Sequence, residues 1–178
     1  MKTLGELERE TALHPVHKLL LANTGSMTAL LEALFGEIGV EAESQGVVVA
    51  DEKTARMLRV GAGAKVNRRL VRLTGGGRVL VHATSYAPLS RLKGGFRADM
   101  MGLDVPIGRI LAKHRLESRR EILGFDLLGA DKGFSGVFGV PAGSTLLIRR
   151  YNIIHGDRPL MNITEVFPYE IAEWAAEG

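Results

Sequence analysis

Glu165 sits in LMNITEVFP, residues 160–168, where strand alternation places it on one face with Met161, Ile163 and Phe167. That face is apolar, whereas Asn162 and Thr164 share the other. A carboxyl group in apolar surroundings is held toward its protonated form, and it can donate a proton or hydrogen-bond a hydroxyl. Arg69, in VNRRLVRL, shares a face with Val71 and Leu73, while Arg68 and Arg72 share the opposite one with Val66 and Leu70. An inward arginine keeps its charge and can clamp a carboxylate with two parallel hydrogen bonds. The plainer alternative is that Arg69 and Glu165 pair with each other or face solvent.

A third feature lies near the start of the chain. Asn23-Thr24-Gly25-Ser26 is a capping cluster, followed by Met27 and by Leu30, Leu31, Leu34 and Phe35 at helical spacing. A helix start leaves backbone N–H groups unpaired, and these favour an anion. Either the helix caps itself over a core Met27, or its first turn holds an anionic substrate. Other chemical signals are thinner. His14 and His17 are spaced to meet on one helical face, but no further ligands cluster near them to complete a zinc site. GAGAKV, residues 61–66, lacks the spacing of a phosphate loop and reads as a turn. Arg119 and Arg120 enter a strand together, as a solvated face or as a second anion contact.

These residues need a scaffold. Residues 11–22 and 26–36 read as helices, and residues 40–50 as a strand. DEKTARMLRV reads as a short helix or a crossover. Residues 66–88 form a hairpin around Gly75-Gly76-Gly77, closed by Pro88. Residues 89–106 read as loop and short helix, and Pro106 opens a further helix. LESRREILGFDLLGA reads as a strand, a second hairpin turns at His155-Gly156-Asp157, and a short helix surrounds Trp174. The hairpins match at Arg78 and Arg158, Leu80 and Leu160, and Thr84 and Thr164. Arg68-Arg69 and Arg149-Arg150 then align with one residue of slack. This pattern is read as a duplication packing as a pseudo-twofold sheet, the alternative being two unrelated hairpins. The expected class is α+β: an antiparallel sheet with helices on one side, in a single domain over residues 1–178.

Bulk properties narrow the function. The chain has 178 residues, no cysteine and a formal net charge of +3. Disulfides, thiolate metal sites and cysteine nucleophiles are therefore excluded. The basic residues are scattered, so no nucleic-acid partner is expected, and the surplus charge suits a small anion. The first residues run straight into charge and no apolar run spans a bilayer, so a cytoplasmic protein without membrane attachment is expected.

GSMT (25–28) at a helix start, Arg69 before a glycine turn, PIGR (106–109) opening a helix, and LMNITEVFP near the end occur in one order. In this the chain resembles the chorismate pyruvate-lyases, most closely their archaeal-type branch. The same fold occurs in the UTRA ligand-binding domains of bacterial transcription regulators. The resemblance covers residues from about 19 to 168. It implies a chorismate lyase/UTRA-like fold and conversion of chorismate to 4-hydroxybenzoate and pyruvate, with no cofactor and no metal. It implies that Arg69 binds the ring carboxylate, helped by the backbone N–H groups of Met27 and Ile107. Glu165 would meet the hydroxyl or ether end of the ring as general acid. For the second carboxylate, Arg72, Arg91, Arg109, Arg149 and Arg150 are candidates. The rival reading is a UTRA-type sensor of a small anion. Such sensors carry an upstream winged helix, for which fewer than 30 residues precede the first motif. Either reading suits a monomer or small homo-oligomer.

Overall fold

The computed structural model describes residues 1–102 and 105–176. The loop and short helix expected across 89–106 include residues 103–104, which lie outside the described residues. Three helices come first: Leu4–Glu10 (α1), Pro15–Ala22 (α2) and Met27–Phe35 (α3). A first unit follows, made of Gly39–Val49 (β1), Glu52–Leu58 (α4), Lys65–Gly75 (β2) and Arg78–Pro88 (β3). Gly94–Met100 (α5) and Ile107–Lys113 (α6) lead to a second unit of Arg119–Gly129 (β4), Lys132–Phe138 (α7), Thr145–His155 (β5) and Arg158–Pro168 (β6). Ile171–Trp174 (α8) comes last.

Local chemistry sets the helix limits. The helix expected over 11–22 is shorter, spanning only Pro15–Ala22. Pro15 begins α2 at a position where its missing N–H has no intrahelical acceptor to lose, and α1 is a separate helix that the apolar pattern did not reveal. Asp51 caps α4 by accepting from Thr54 N at 2.7 Å. Asp131 does the same for α7, accepting from Phe134 N at 2.8 Å. No element was expected at α7, whose glycine content hides it.

Each element of the second unit stands 80 residues after its counterpart in the first. The correspondence reaches the details. The capping aspartates, the bulges between Ala42 and Ser44 and between Ile122 and Gly124, and the left-handed Gly76 and Gly156 at the hairpin tips all repeat. The one-residue slack expected between the hairpins is therefore absent. Arg69 corresponds to Arg149, while Arg68 and Arg150 have no arginine counterpart.

Among the described residues the strands form one antiparallel sheet in the order β1-β2-β3-β6-β5-β4. Thr84 pairs with Thr164 at its centre, which relates the halves by a pseudo-twofold axis through that pair. One face carries the larger helical layer: α1, α2 and α3 cover a cluster that includes Leu73, Leu147 and Phe167. On the same face α5 and α6 pack against Tyr151, Ile153 and Ile163. To the expected one-sided layer the structure adds α4 and α7, which cover Val66 and Leu146 on the opposite face.

His17 ties the first helices to the end of the chain. Its Nδ1 accepts from His14 N at 3.2 Å and its Nε2 donates to Tyr169 O at 2.7 Å. This needs the neutral ring, and burial pushes the His17 pKa below the usual 6.5. The folded state thus binds fewer protons than the unfolded one. The contribution is fully present above pH 6.5 and is lost as pH falls from there through the lowered folded pKa. Melting temperature is expected to drop over that range, and the drop should be shallower in His17→Gln when both are followed by circular dichroism.

Candidate active site

The sheet's central rows set out the site. Val71, Ala83, Glu165, Arg149 and Phe125 stand side by side across five strands. The row related to it by the pseudo-twofold is Tyr151, Ile163, Ser85, Arg69 and Gln45. Each row carries one inward arginine, buried in both cases. Across the ladder Arg149 meets Glu165, whereas Arg69 meets Ser85. A common plan has thus diverged: one half supplies its own carboxylate, and the other presents a hydroxymethyl group.

A pocket partly open to solvent lies over these rows. Its floor includes Arg69, Ala83, Ser85, Ile163 and Glu165, and its roof includes Met27 and Ile107, the first residues of α3 and α6. The small side chains of Ala83 and Ser85 leave the space between the two charged residues open. All four residues expected to form a site, Met27, Arg69, Ile107 and Glu165, therefore line one cavity. Met27 also has its side chain in the core, so the capping and pocket readings of this segment are compatible. Ser26 caps α3 by accepting from Ala29 N at 3.2 Å. Arg68 pairs with Tyr86 on the opposite face, which leaves Arg69 as the inward member of the pair.

The charges are not arranged as a direct Arg69–Glu165 pair. Arg149 Nε lies 3.0 Å from Glu165 Oε2, a close ion pair whose N–H is not aligned for a hydrogen bond. Arg149 Nη1 also donates to Leu20 O at 2.7 Å and Asn23 O at 2.6 Å, at the end of α2. Arg69 Nη1 donates to Val105 O at 2.9 Å, beside the start of α6. Both arginines thus tie the sheet to the segments that roof the pocket.

Tyr151 completes the arrangement. Its hydroxyl donates to Glu165 Oε1 at 2.9 Å. Burial pushes its phenol pKa well up, and the Glu165 charge adds to that, so the proton stays on the tyrosine. The Arg149 guanidinium lies 4.6 Å from the centre of its ring. Glu165 Oε1 thus accepts from Tyr151, while Oε2 lies beside the Arg149 charge without a hydrogen-bond donor, which suits it to accept from a ligand hydroxyl. Tyr151 was not singled out from sequence. An 80-residue alignment without slack would have revealed it as the partner of Val71 in the pocket rows.

None of the five arginines expected to hold a second carboxylate lines this pocket. Arg72 is paired with Glu43, and Arg91 donates to the carbonyls of Leu58, Arg59 and Pro159. Arg150 donates to Thr164 Oγ1, and Arg149 is engaged as described. Arg109 lines the adjoining groove. The second cation at the pocket is Arg120.

No helix among the described residues is long and apolar enough to cross a membrane. The fold is that of ligand-binding domains from transcription regulators. The effector domain of PhnF from Mycobacterium smegmatis matches with a TM-score of 0.68 at 18% identity, over 82% of this chain and 90% of the domain. Against the longer PhnF structure, this chain spans 64% of the regulator's length. The C-terminal domain of YurK from Bacillus subtilis matches with a TM-score of 0.60 at 16% identity, over 72% of this chain and 88% of that domain. Sequence narrows the kinship further. The profile of the Rv2949c-like chorismate pyruvate-lyases matches residues 21–175, and the chain belongs to that family. A Methanocaldococcus jannaschii protein, provisionally named as a lyase, is 34% identical over 172 residues, covering 93% of this chain and 85% of the relative.

Proposed function

We propose that this protein is a chorismate lyase that forms 4-hydroxybenzoate and pyruvate. The observation that carries the reading is one pocket placing Arg69 and Glu165 on strands two ladder steps apart beneath two helix starts. Two strand spacings of about 4.8 Å and an offset of two residues, about 3.4 Å each, set the two positions roughly 12 Å apart along the sheet, leaving room for a six-membered ring between the inward side chains. Arg69 takes the ring carboxylate, and the N–H groups of Met27 and Ile107 close over it. Glu165 takes the ring hydroxyl, with Arg149 and Tyr151 fixing its carboxylate.

The reaction breaks the ether C–O bond at ring position 3 and the C–H bond at position 4. The ring becomes aromatic, and the departing enolpyruvate gains a proton at its methylene carbon to become pyruvate. Atoms balance without an added reactant. The site must orient a dianion, exclude water and move one proton. Glu165 is the carboxyl group among the described lining residues, and proton transfer is assigned to it.

The direct test incubates the purified protein with chorismate and a chelator. Products are resolved against 4-hydroxybenzoate, 3-hydroxybenzoate and pyruvate standards. Equal amounts of 4-hydroxybenzoate and pyruvate above the uncatalysed background are expected. Unchanged chorismate, with aromatic acids still bound, would favour the second reading, a non-catalytic sensor of small anions, which the likeness to regulator effector domains supports.

The pseudo-twofold supplies a second test. Ser85→Glu gives Arg69 the cross-strand carboxylate that Arg149 already has. The variant is expected to fold and to lose most of its affinity for 4-hydroxybenzoate, read by calorimetry. Unchanged affinity would remove Arg69 from the ring-carboxylate role.

A further inference from the structure

We propose that Arg120 binds the carboxylate of the substrate's enolpyruvyl side chain, and so distinguishes the dianionic substrate from the monoanionic product. The inference rests on the chorismate reading of the pocket. Arg120 lies on edge strand β4, and the bulge between Ile122 and Gly124 resets the alternation so that Arg120 faces inward beside Ile153. Its pseudo-twofold counterpart is Val40, so this cation belongs to one half of the repeat alone. Arg120 lines both the pocket and the adjoining groove between the starts of α3 and α6. It therefore stands where a substituent leaving the ring meets the opening.

The guanidinium is placed but has capacity left. Nη1 donates to Thr24 O at 3.1 Å, and Cζ lies 5.8 Å from the Tyr151 ring centre. Nε is buried and has no hydrogen-bond acceptor. Among the described residues no carboxylate forms an ion pair with Arg120. Glu32 lines the groove without reaching it as a partner. A half-buried guanidinium with a buried, unanswered donor and an open path to the ring is a site for a planar anion. Arg69 and Arg120 then hold the two carboxylates, and Glu165 takes the hydroxyl.

The experiment compares two stable ligands by calorimetry. 4-Hydroxybenzoate carries the ring carboxylate alone, and 3-(carboxymethoxy)-4-hydroxybenzoate adds an ether-linked carboxylate. The wild-type protein is expected to bind both. Arg120→Gln is expected to bind the diacid roughly tenfold to hundredfold more weakly, as for loss of a charge-assisted hydrogen bond. Its affinity for 4-hydroxybenzoate should stay within about twofold, which also shows that the variant is folded. Arg120→Lys should recover part of the diacid affinity. Equal effects on both ligands, or none on either, would overturn the Arg120 assignment while leaving the lyase reading intact. Wild-type protein that binds the monoacid but not the diacid would overturn it as well. Wild-type protein that binds neither ligand would overturn both.

Discussion

Arg69→Gln is expected to reduce chorismate turnover by about 10²–10³-fold and to weaken 4-hydroxybenzoate binding by a similar factor. Removing one partner of a buried charge-assisted pair costs about 2–5 kcal/mol, and each 1.4 kcal/mol is about tenfold. The ring carboxylate is present in both substrate and product, so the lost contact affects both. This pattern separates Arg69 from Arg120, whose replacement should spare the product. Arg69 also donates to Val105 O, so the variant's melting curve has to accompany the kinetics. A folded variant with near-normal turnover would refute the assignment.

Glu165→Gln is expected to show a different signature. Turnover should fall by about 10²–10⁴-fold, the usual contribution of a positioned proton-transfer group. Affinity for 4-hydroxybenzoate should change by less than about tenfold, because a neutral amide still hydrogen-bonds the hydroxyl. Stability should fall too. Glu165 lies 3.0 Å from the fully buried Arg149, and removing one partner of such a pair typically costs about 3–5 kcal/mol. That is a large fraction of the roughly 5–15 kcal/mol that holds a domain together. Assays are therefore best run well below the variant's melting temperature. Arg149→Met should show the stability loss with a smaller kinetic effect, since Tyr151 still donates to Glu165 Oε1. A stable Glu165→Gln enzyme with wild-type turnover would end the proton-transfer assignment.

Much of the architecture was legible because strands and hairpins carry local marks. Two glycine turns flanked by β-rich runs located β2, β3, β5 and β6 to within a residue or two. Helices were less readable where their apolar stripe is short. The seven residues of α1 and the glycine-containing α7 give the 3.6-residue period too few turns to register. The repeat was visible in Thr84 and Thr164, but the adjacent arginines drew the alignment one residue out. The uniform 80-residue spacing of the strands shows Arg69 to be the counterpart of Arg149, and the paired bulges in β1 and β4, seen only once the strands pair, repeat at the same spacing.

The sequence by itself determined which residues are able to do chemistry and which way most of them face. Alternation alone turns Arg69 and Glu165 inward, and capping chemistry alone starts α3 at Met27. Only the tertiary structure decided who partners whom. Cross-strand register gives Arg149 to Glu165 and Ser85 to Arg69, and a one-residue bulge turns Arg120 toward the pocket. Side-chain direction follows from local backbone geometry, whereas register depends on the packing of strands far apart in the chain.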